Sequence, residues 1–367
     1  MAPPSNGQLT PHPSLEQARN QARDLLRAFN AGDADALARV RNHHPRLHDV
    51  PHEDLSGHRF TLSDAQLVVA REAGLPSWSR LKRQIERITG PDRCRPFVRE
   101  VQYYDERAEG LRSAHEAGQR RALDLLRRYH PRFAGLSDAE VRDAALTQDD
   151  VRLVLAYEHG FRSWSDFTRH IEALARGEAA EPFMEAFEAI QGGDGRAFEA
   201  LLREHPELVH ARGTNGNRLL HLVTSLRKIE AARLLLARGA DPSAANNKGW
   251  TSLHQAAYDS PECDDGASVQ ILQLLLDAGA RIDLSAHGDG GTPLVQALFW
   301  GHRPQAEILA ERGIVPNNLR VAASLGRVDL VRGFFTRDGR LKPQAGRHRE
   351  FYRPHSGFPV WAPSADP

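Results

Sequence analysis

The chain has 367 residues, and its 48 Lys plus Arg cancel its 48 Asp plus Glu. That balance excludes a basic arm for polyanions and an acidic tail, and the length suits two or three domains. A hydrophobic content of 40% fits an elongated solenoid better than one large core, because a solenoid buries less surface per residue.

Two cysteines, Cys94 and Cys263, make neither a disulfide framework nor a paired metal motif, which points to a reducing, cytoplasmic setting. The N-terminal stretch has no signal-like apolar core, and no apolar run approaches a membrane span. Only four of the 48 basic residues are Lys, a codon bias expected of a GC-rich genome rather than a matter of chemistry.

Residues 1–14 read as disordered. LEQARNQARDLLRAF (15–29) has apolar residues at helical spacing. GDADA (32–36) breaks and restarts the chain, with Asp33 as N-cap. The next helix ends at His44–Pro45, since proline excludes helical geometry at the residue before it. DAQLVVAREAG (64–74) leads to a turn at Gly74, and SWSRLKRQIERI (77–88) carries Leu81, Ile85 and Ile88 on one stripe.

This unit is duplicated. At an offset of 86 residues Asp64 falls on Asp150, Leu67 on Leu153, Val68 on Val154, Ala70 on Ala156, Glu72 on Glu158 and Gly74 on Gly160. HHPRL (43–47) lies over YHPRF (129–133), and GLPSWS (74–79) over GFRSWS (160–165). The expected division is copy one over 15–90, a linker over 91–107 and copy two over 108–176. Gly74 and Gly160 suit the turns, Ser77 and Ser163 the N-caps, and Trp78 and Trp164 are expected to be buried as fillers of the corner.

A competing reading makes each unit a DNA-binding helix-turn-helix, because Ala70-X-X-X-Gly74 and Ala156-X-X-X-Gly160 have the required spacing. The first copy's helix 77–88 and its flank are basic, with Arg80, Lys82, Arg83, Arg87, Arg93, Arg95 and Arg99. The second copy has lost that face and gained Asp166, and the chain is neutral, so a DNA-associated regulator stands as the alternative function.

Beyond ARGEAAEP (175–182) the pattern changes. The closes LLARGAD (235–241), LLDAGAR (275–281) and LAERGIV (309–315) alternate with the openings LLHLV (219–223), TSLHQAA (251–257) and TPLVQAL (292–298). These segments resemble ankyrin repeats, whose unit is about 33 residues with a Thr-Pro-Leu-His-X-Ala signature. Residues 185–209 echo 25–47 and look like a degenerate first repeat, and 317–335 read as a last helix pair. The resemblance implies an all-α fold, a solenoid of helical hairpins with ankyrin repeats over 182–337. It also implies structural roles for His221 and His254.

By the same resemblance the variable surface positions are Thr214, Asn215, Asn217, Ser225 and Leu226; Asn247, Lys248, Trp250, Tyr258 and Asp259; and Asp289, Phe299 and Trp300. Asn247, Lys248, Trp250, Tyr258, Asp259, Phe299 and Trp300 form the expected protein-binding face, since Trp and Tyr are the usual anchors of binding hot spots. No nucleophile elbow, phosphate-cradling loop or His-Glu-X-X-His is present. His43, His44, His48, His52 and His58 read as a polar, partly exposed connection, and Asp149 and Asp150 as helix-capping acids.

The expectation is a non-enzymatic scaffold with a protein partner, no metal, no cofactor, no nucleic acid and no membrane. The tail, 338–367, has no periodicity. It is expected to pack loosely and to leave an apolar end through which the chain self-associates.

Overall fold

The computed structural model describes residues 14–55, 57–89, 93–258, 266–286, 291–313, 315 and 319–346. Contacts divide the chain into two compact units. One comprises Met1–Arg93, Glu100–Ala108 and Leu123–Ala175, the other Cys94–Arg99, Glu109–Ala122 and Arg176–Pro367. The fold is all-α; among the described residues the only strands are Cys94–Arg95 and Arg212–Gly213.

The duplication is more complete than residue identity suggests. Helices Leu15–Asn30, Ala34–His43, His52–Leu55, Leu62–Glu72 and Trp78–Thr89 are followed, each 86 positions later, by starts at Val101, Arg120, Asp138, Gln148 and Trp164. The second copy therefore begins at Val101, inside the stretch 91–107 expected as a linker. The first helices share only Ala22/Ala108, Leu25/Leu111 and Ala28/Ala114, but Ala18 and Ala22 and their counterparts Tyr104 and Ala108 are all fully buried. The register of these buried positions has been kept, and at one of them Tyr104 stands in place of Ala18.

Each copy closes its core in the same way. Thr61 and Asp64 form a capping box at the start of one helix, and Thr147 and Asp150 form its counterpart. Both helices end on a left-handed glycine, Gly74 at φ +75° and Gly160 at φ +85°. Leu75 N–H then donates to Ala70 O at 2.9 Å, and Phe161 N–H to Ala156 O at 2.9 Å. This is the Schellman arrangement, in which the residue after the glycine packs back on the helix.

Leu75 and Phe161 are accordingly the buried corner residues. Trp78 and Trp164, expected in that role, are only half-buried. Each is the first residue of its helix, where a side chain leans back over the preceding turn rather than into the core. Trp78 packs on the rim of the first core, and Trp164 lies under the Arg152 guanidinium at 5.7 Å. The serines behave as expected: Ser77 Oγ accepts from Arg80 N–H, and Ser163 Oγ from Asp166 N–H at 3.1 Å.

In the other unit helices pair in sequence: Pro182–Gly192 with Gly195–Glu204, Leu219–Ser225 with Ile229–Ala237, and Ser252–Ala257 with Ala267–Asp277. Pro293–Trp300 with Arg303–Arg312 and Leu319–Ser324 with Val328–Arg332 complete the series. Two buried histidines tie neighbouring repeats. His254 Nδ1 accepts from Thr251 N–H at 3.2 Å, so its Nε2 carries the proton and donates to Gly291 O at 3.1 Å. His221 repeats the pattern with Arg218 N–H at 3.2 Å and Trp250 O at 3.1 Å. Burial pushes both imidazoles down to about 4, so both are neutral at pH 7. Val295 stands at the next equivalent position.

The described part of the tail is not loose. Lys342 N–H donates to Phe334 O at 2.9 Å, Phe335 bridges Leu341, and Phe334 and Ala345 are buried with Ala322. The expectation for 347–367 falls outside the described residues.

Candidate functional site

The surface expected to bind a partner is built on the loops and first helices of successive repeats. Its loops are cross-linked by polar side chains. Asn247 N–H donates to Asn215 O at 2.8 Å, Arg212 Nη2 to Asn247 Oδ1 at 2.7 Å, and Asn246 Nδ2 to Asn217 Oδ1 at 2.8 Å. Within the second loop Asn246 Oδ1 accepts from the backbone N–H of both Lys248 and Trp250. The Asn247 amide oxygen is thus engaged in holding two loops together, while Lys248 is exposed. Thr214, expected at the surface, is fully buried. The Arg121 guanidinium also lies against Gly249, so close that a Cβ there would meet it at 2.8 Å.

From this loop an aromatic run crosses the repeats. Trp250 meets Tyr258 edge-on with centroids 6.2 Å apart, and Tyr258 meets Trp300 edge-on at 5.2 Å. Phe299 abuts Trp300 at 5.1 Å, and His302 stands 6.3 Å from Tyr258. Edge-to-face contacts of this kind suit aromatic quadrupoles and hold the rings rigid. Tyr258 is 38% exposed, one of few large apolar side chains in that state, while Trp250, Phe299 and Trp300 are half-buried. The structure brings together four of the seven expected residues as rings in contact, with Lys248 beside them. Asp259 and Asp289 lie outside the described residues.

A second constellation escaped the sequence reading. His44, placed there in a partly exposed connection, is buried. Its Nδ1 accepts from Arg46 N–H at 3.3 Å and its Nε2 lies 3.2 Å from Asp64, which also takes Arg46 Nη2 at 2.9 Å. The second copy places His130, Arg132 and Asp150 alike, although His130 Nε2 faces Asp150 at 3.0 Å without hydrogen-bond alignment. Burial raises both carboxyls, but the capping threonines outweigh it, helped by the His44 hydrogen bond at Asp64 and by Arg132 at Asp150, and both carboxyls lie below the usual range. Burial lowers His130 against the opposing pull of Asp150. The signal was available in the offset, since His, Pro, Arg and Asp recur together.

The basic helix of the alternative reading is partly engaged. Lys82 pairs with Glu86 at 3.6 Å, Arg95 with Glu181 at 3.3 Å and Arg99 with Glu188 at 2.9 Å, while Arg83 is exposed. Among the described residues no group of three His, Cys, Asp or Glu side chains is placed to hold a metal ion, and no helix is long and apolar enough to cross a membrane.

Residues 186–265 match the family model described as ankyrin repeats in three copies, and residues 248–287 match that of the ankyrin repeat. The C-terminal half carries ankyrin repeats. Among curated proteins, a mouse protein fem-1 homolog A-like is 34% identical over 30% of this chain and 16% of its own length. The human SMC5-SMC6 complex localization factor protein 1 is 33% identical over 28% of this chain and 9% of its own. Protein PhlB of Serratia liquefaciens is 30% identical over 32% of this chain and 48% of its own. The chain therefore spans a minor part of the first two and about half of the third. In the ankyrin stack, the aromatic run joins the loop preceding one signature helix to the end of the next.

Proposed function

We propose that this protein is a non-enzymatic, cytoplasmic scaffold of a bacterial cell whose ankyrin stack binds another protein. Tyr258 and Trp300 serve as the anchors, with Asn247, Lys248, Trp250 and Phe299 around them. The observation that carries the reading is the edge-to-face run Trp250–Tyr258–Trp300, whose central ring is exposed. Rigid aromatic rings offer large contact area at little entropic cost, which is why they dominate hot spots. A photo-crosslinking phenylalanine analogue in place of Tyr258 tests it in the source cell. A defined protein captured at 258, and not at the exposed control position Arg19, supports the reading; equal capture at both, or none, refutes it.

A second surface favours self-association. Val328, Phe335 and Leu341 are 56%, 38% and 38% exposed, and all belong to the last helix pair and the segment folded on it. Light scattering across concentration reads this directly, and a constant monomer mass would rule it out.

A further inference from the structure

The first helix of the ankyrin unit, Pro182–Gly192, carries a groove that the chain fills with its own residues 94–99, Cys-Arg-Pro-Phe-Val-Arg. Cys94–Arg95 lies parallel to Arg212–Gly213, with Cys94 opposite Arg212 and Arg95 opposite Gly213. Phe97 is buried, 5.1 Å from Phe187 and 6.2 Å from Phe183 by ring centroids. Gly213 makes room for it: a Cβ there would meet Phe183 at 2.7 Å and Phe97 at 3.0 Å. On either side of this aromatic socket a carboxylate receives an arginine. Arg95 reaches Glu181 at 3.3 Å, and Arg99 reaches Glu188 at 2.9 Å while its Nε lies 3.4 Å from Met184 Sδ.

The socket and its two carboxylates form a recognition pattern for an extended segment, with main-chain pairing at one end, an aromatic pocket in the middle and acids at both flanks. We infer that this groove is a docking site for extended Arg-Pro-Phe-X-Arg-type segments of another protein, which the chain blocks with its own copy of that motif. It is a different surface from the aromatic run and does not depend on it.

The block loosens from its Arg99 end. Cys94, Pro96 and Phe97 are buried and the Arg95–Glu181 pair is 25% and 9% exposed, so that end holds firmly, whereas Arg99 and Glu188 are each 44% exposed and their pair contributes little. Tethering supplies the rest, since a segment joined to its groove acts at an effective concentration near the millimolar range. A free segment of the same chemistry competes once the tethered copy is weakened.

The test is fluorescence anisotropy with a fluorescein-labelled peptide of residues 93–100 and full-length protein. The wild-type chain binds the peptide weakly, and Phe97→Ala binds it at least tenfold more tightly. Arg99→Glu, which leaves the buried ring in place, gives a smaller gain and serves should Phe97→Ala fail to fold. Adding Glu188→Arg to either variant cancels the gain, and a peptide with Glu at the position of Arg99 restores it. Equal affinity of wild type and both variants, no binding by any of them, or binding that ignores the peptide's Phe overturns the proposal. So does a wild-type dimer whose light-scattering mass falls to monomer on addition of the peptide, because the occupant is then a second copy of the chain.

Discussion

His44 Nε2 lies 3.2 Å from the Asp64 carboxylate inside the first N-terminal copy, and eighty-six residues later His130 Nε2 lies 3.0 Å from Asp150. In each copy the aspartate is also the third residue of its helix and closes a capping box, so in the first copy one carboxylate fixes a helix start and a buried imidazole together. Asp64→Ala removes the cap's reciprocal bond and leaves the His44 N–H without an acceptor. A loss of about 1–3 kcal/mol is expected. Urea denaturation reads it. A cost no larger than that of the exposed Arg19→Ala would mean that the contact holds nothing.

The two corner residues should dominate the energetics of the repeated hexapeptide. Leu75→Ala should cost about 2–5 kcal/mol and Phe161→Ala about 3–5 kcal/mol. Trp78→Ala and Trp164→Ala, at half-buried positions, should cost less than their neighbours. Thermal melts of the four variants rank them, and a tryptophan variant that melts below its corner partner would contradict the packing described.

Acid should loosen the ankyrin stack before it protonates most carboxylates. His221 and His254 sit at about 4 in the fold, against about 6.5 for an unfolded histidine. The folded state holds the neutral form, so the unfolded chain binds protons first as pH falls. The stabilisation is fully present above about pH 6.5 and is lost progressively toward pH 4, on the order of 3 kcal/mol for each histidine. Chemical denaturation at pH 7, 6 and 5 should show a falling midpoint, and His254→Gln should flatten part of that slope. A midpoint independent of pH over this range would show that the two rings are not held neutral.

Local and periodic features were legible in the sequence. The offset of 86 exposed the duplication, and the recurring closes at 235–241, 275–281 and 309–315 exposed the repeats, because both are short patterns that recur along the chain. Capping at Ser77, Ser163 and Asp150 followed from residue type and position. Two kinds of feature were not legible. Tyr104 replaces Ala18 in the duplicated first helix, where only three of sixteen positions are identical, so the helix from Val101 is not legible as a copy from identity alone. The pairing of Cys94–Arg95 with Arg212–Gly213 joins segments far apart in the chain by a ladder too short to leave an alternating pattern. Of the candidate site, the ring residues were found from the family's surface positions. The engagement of Asn247 by Arg212 and the burial of Thr214 depend on how adjacent loops meet, which residue type does not reveal.

The most direct test of the scaffold reading is the affinity of the protein captured at position 258 for the wild-type chain and for Tyr258→Ala/Trp300→Ala, measured beside thermal melts of both. Two hot-spot rings removed should weaken binding by at least about a hundredfold. The melting transition should move by only a few degrees, because Tyr258 is exposed and Trp300 half-buried. Unchanged affinity, or a variant that no longer folds, would contradict the assignment of the aromatic run as the docking surface.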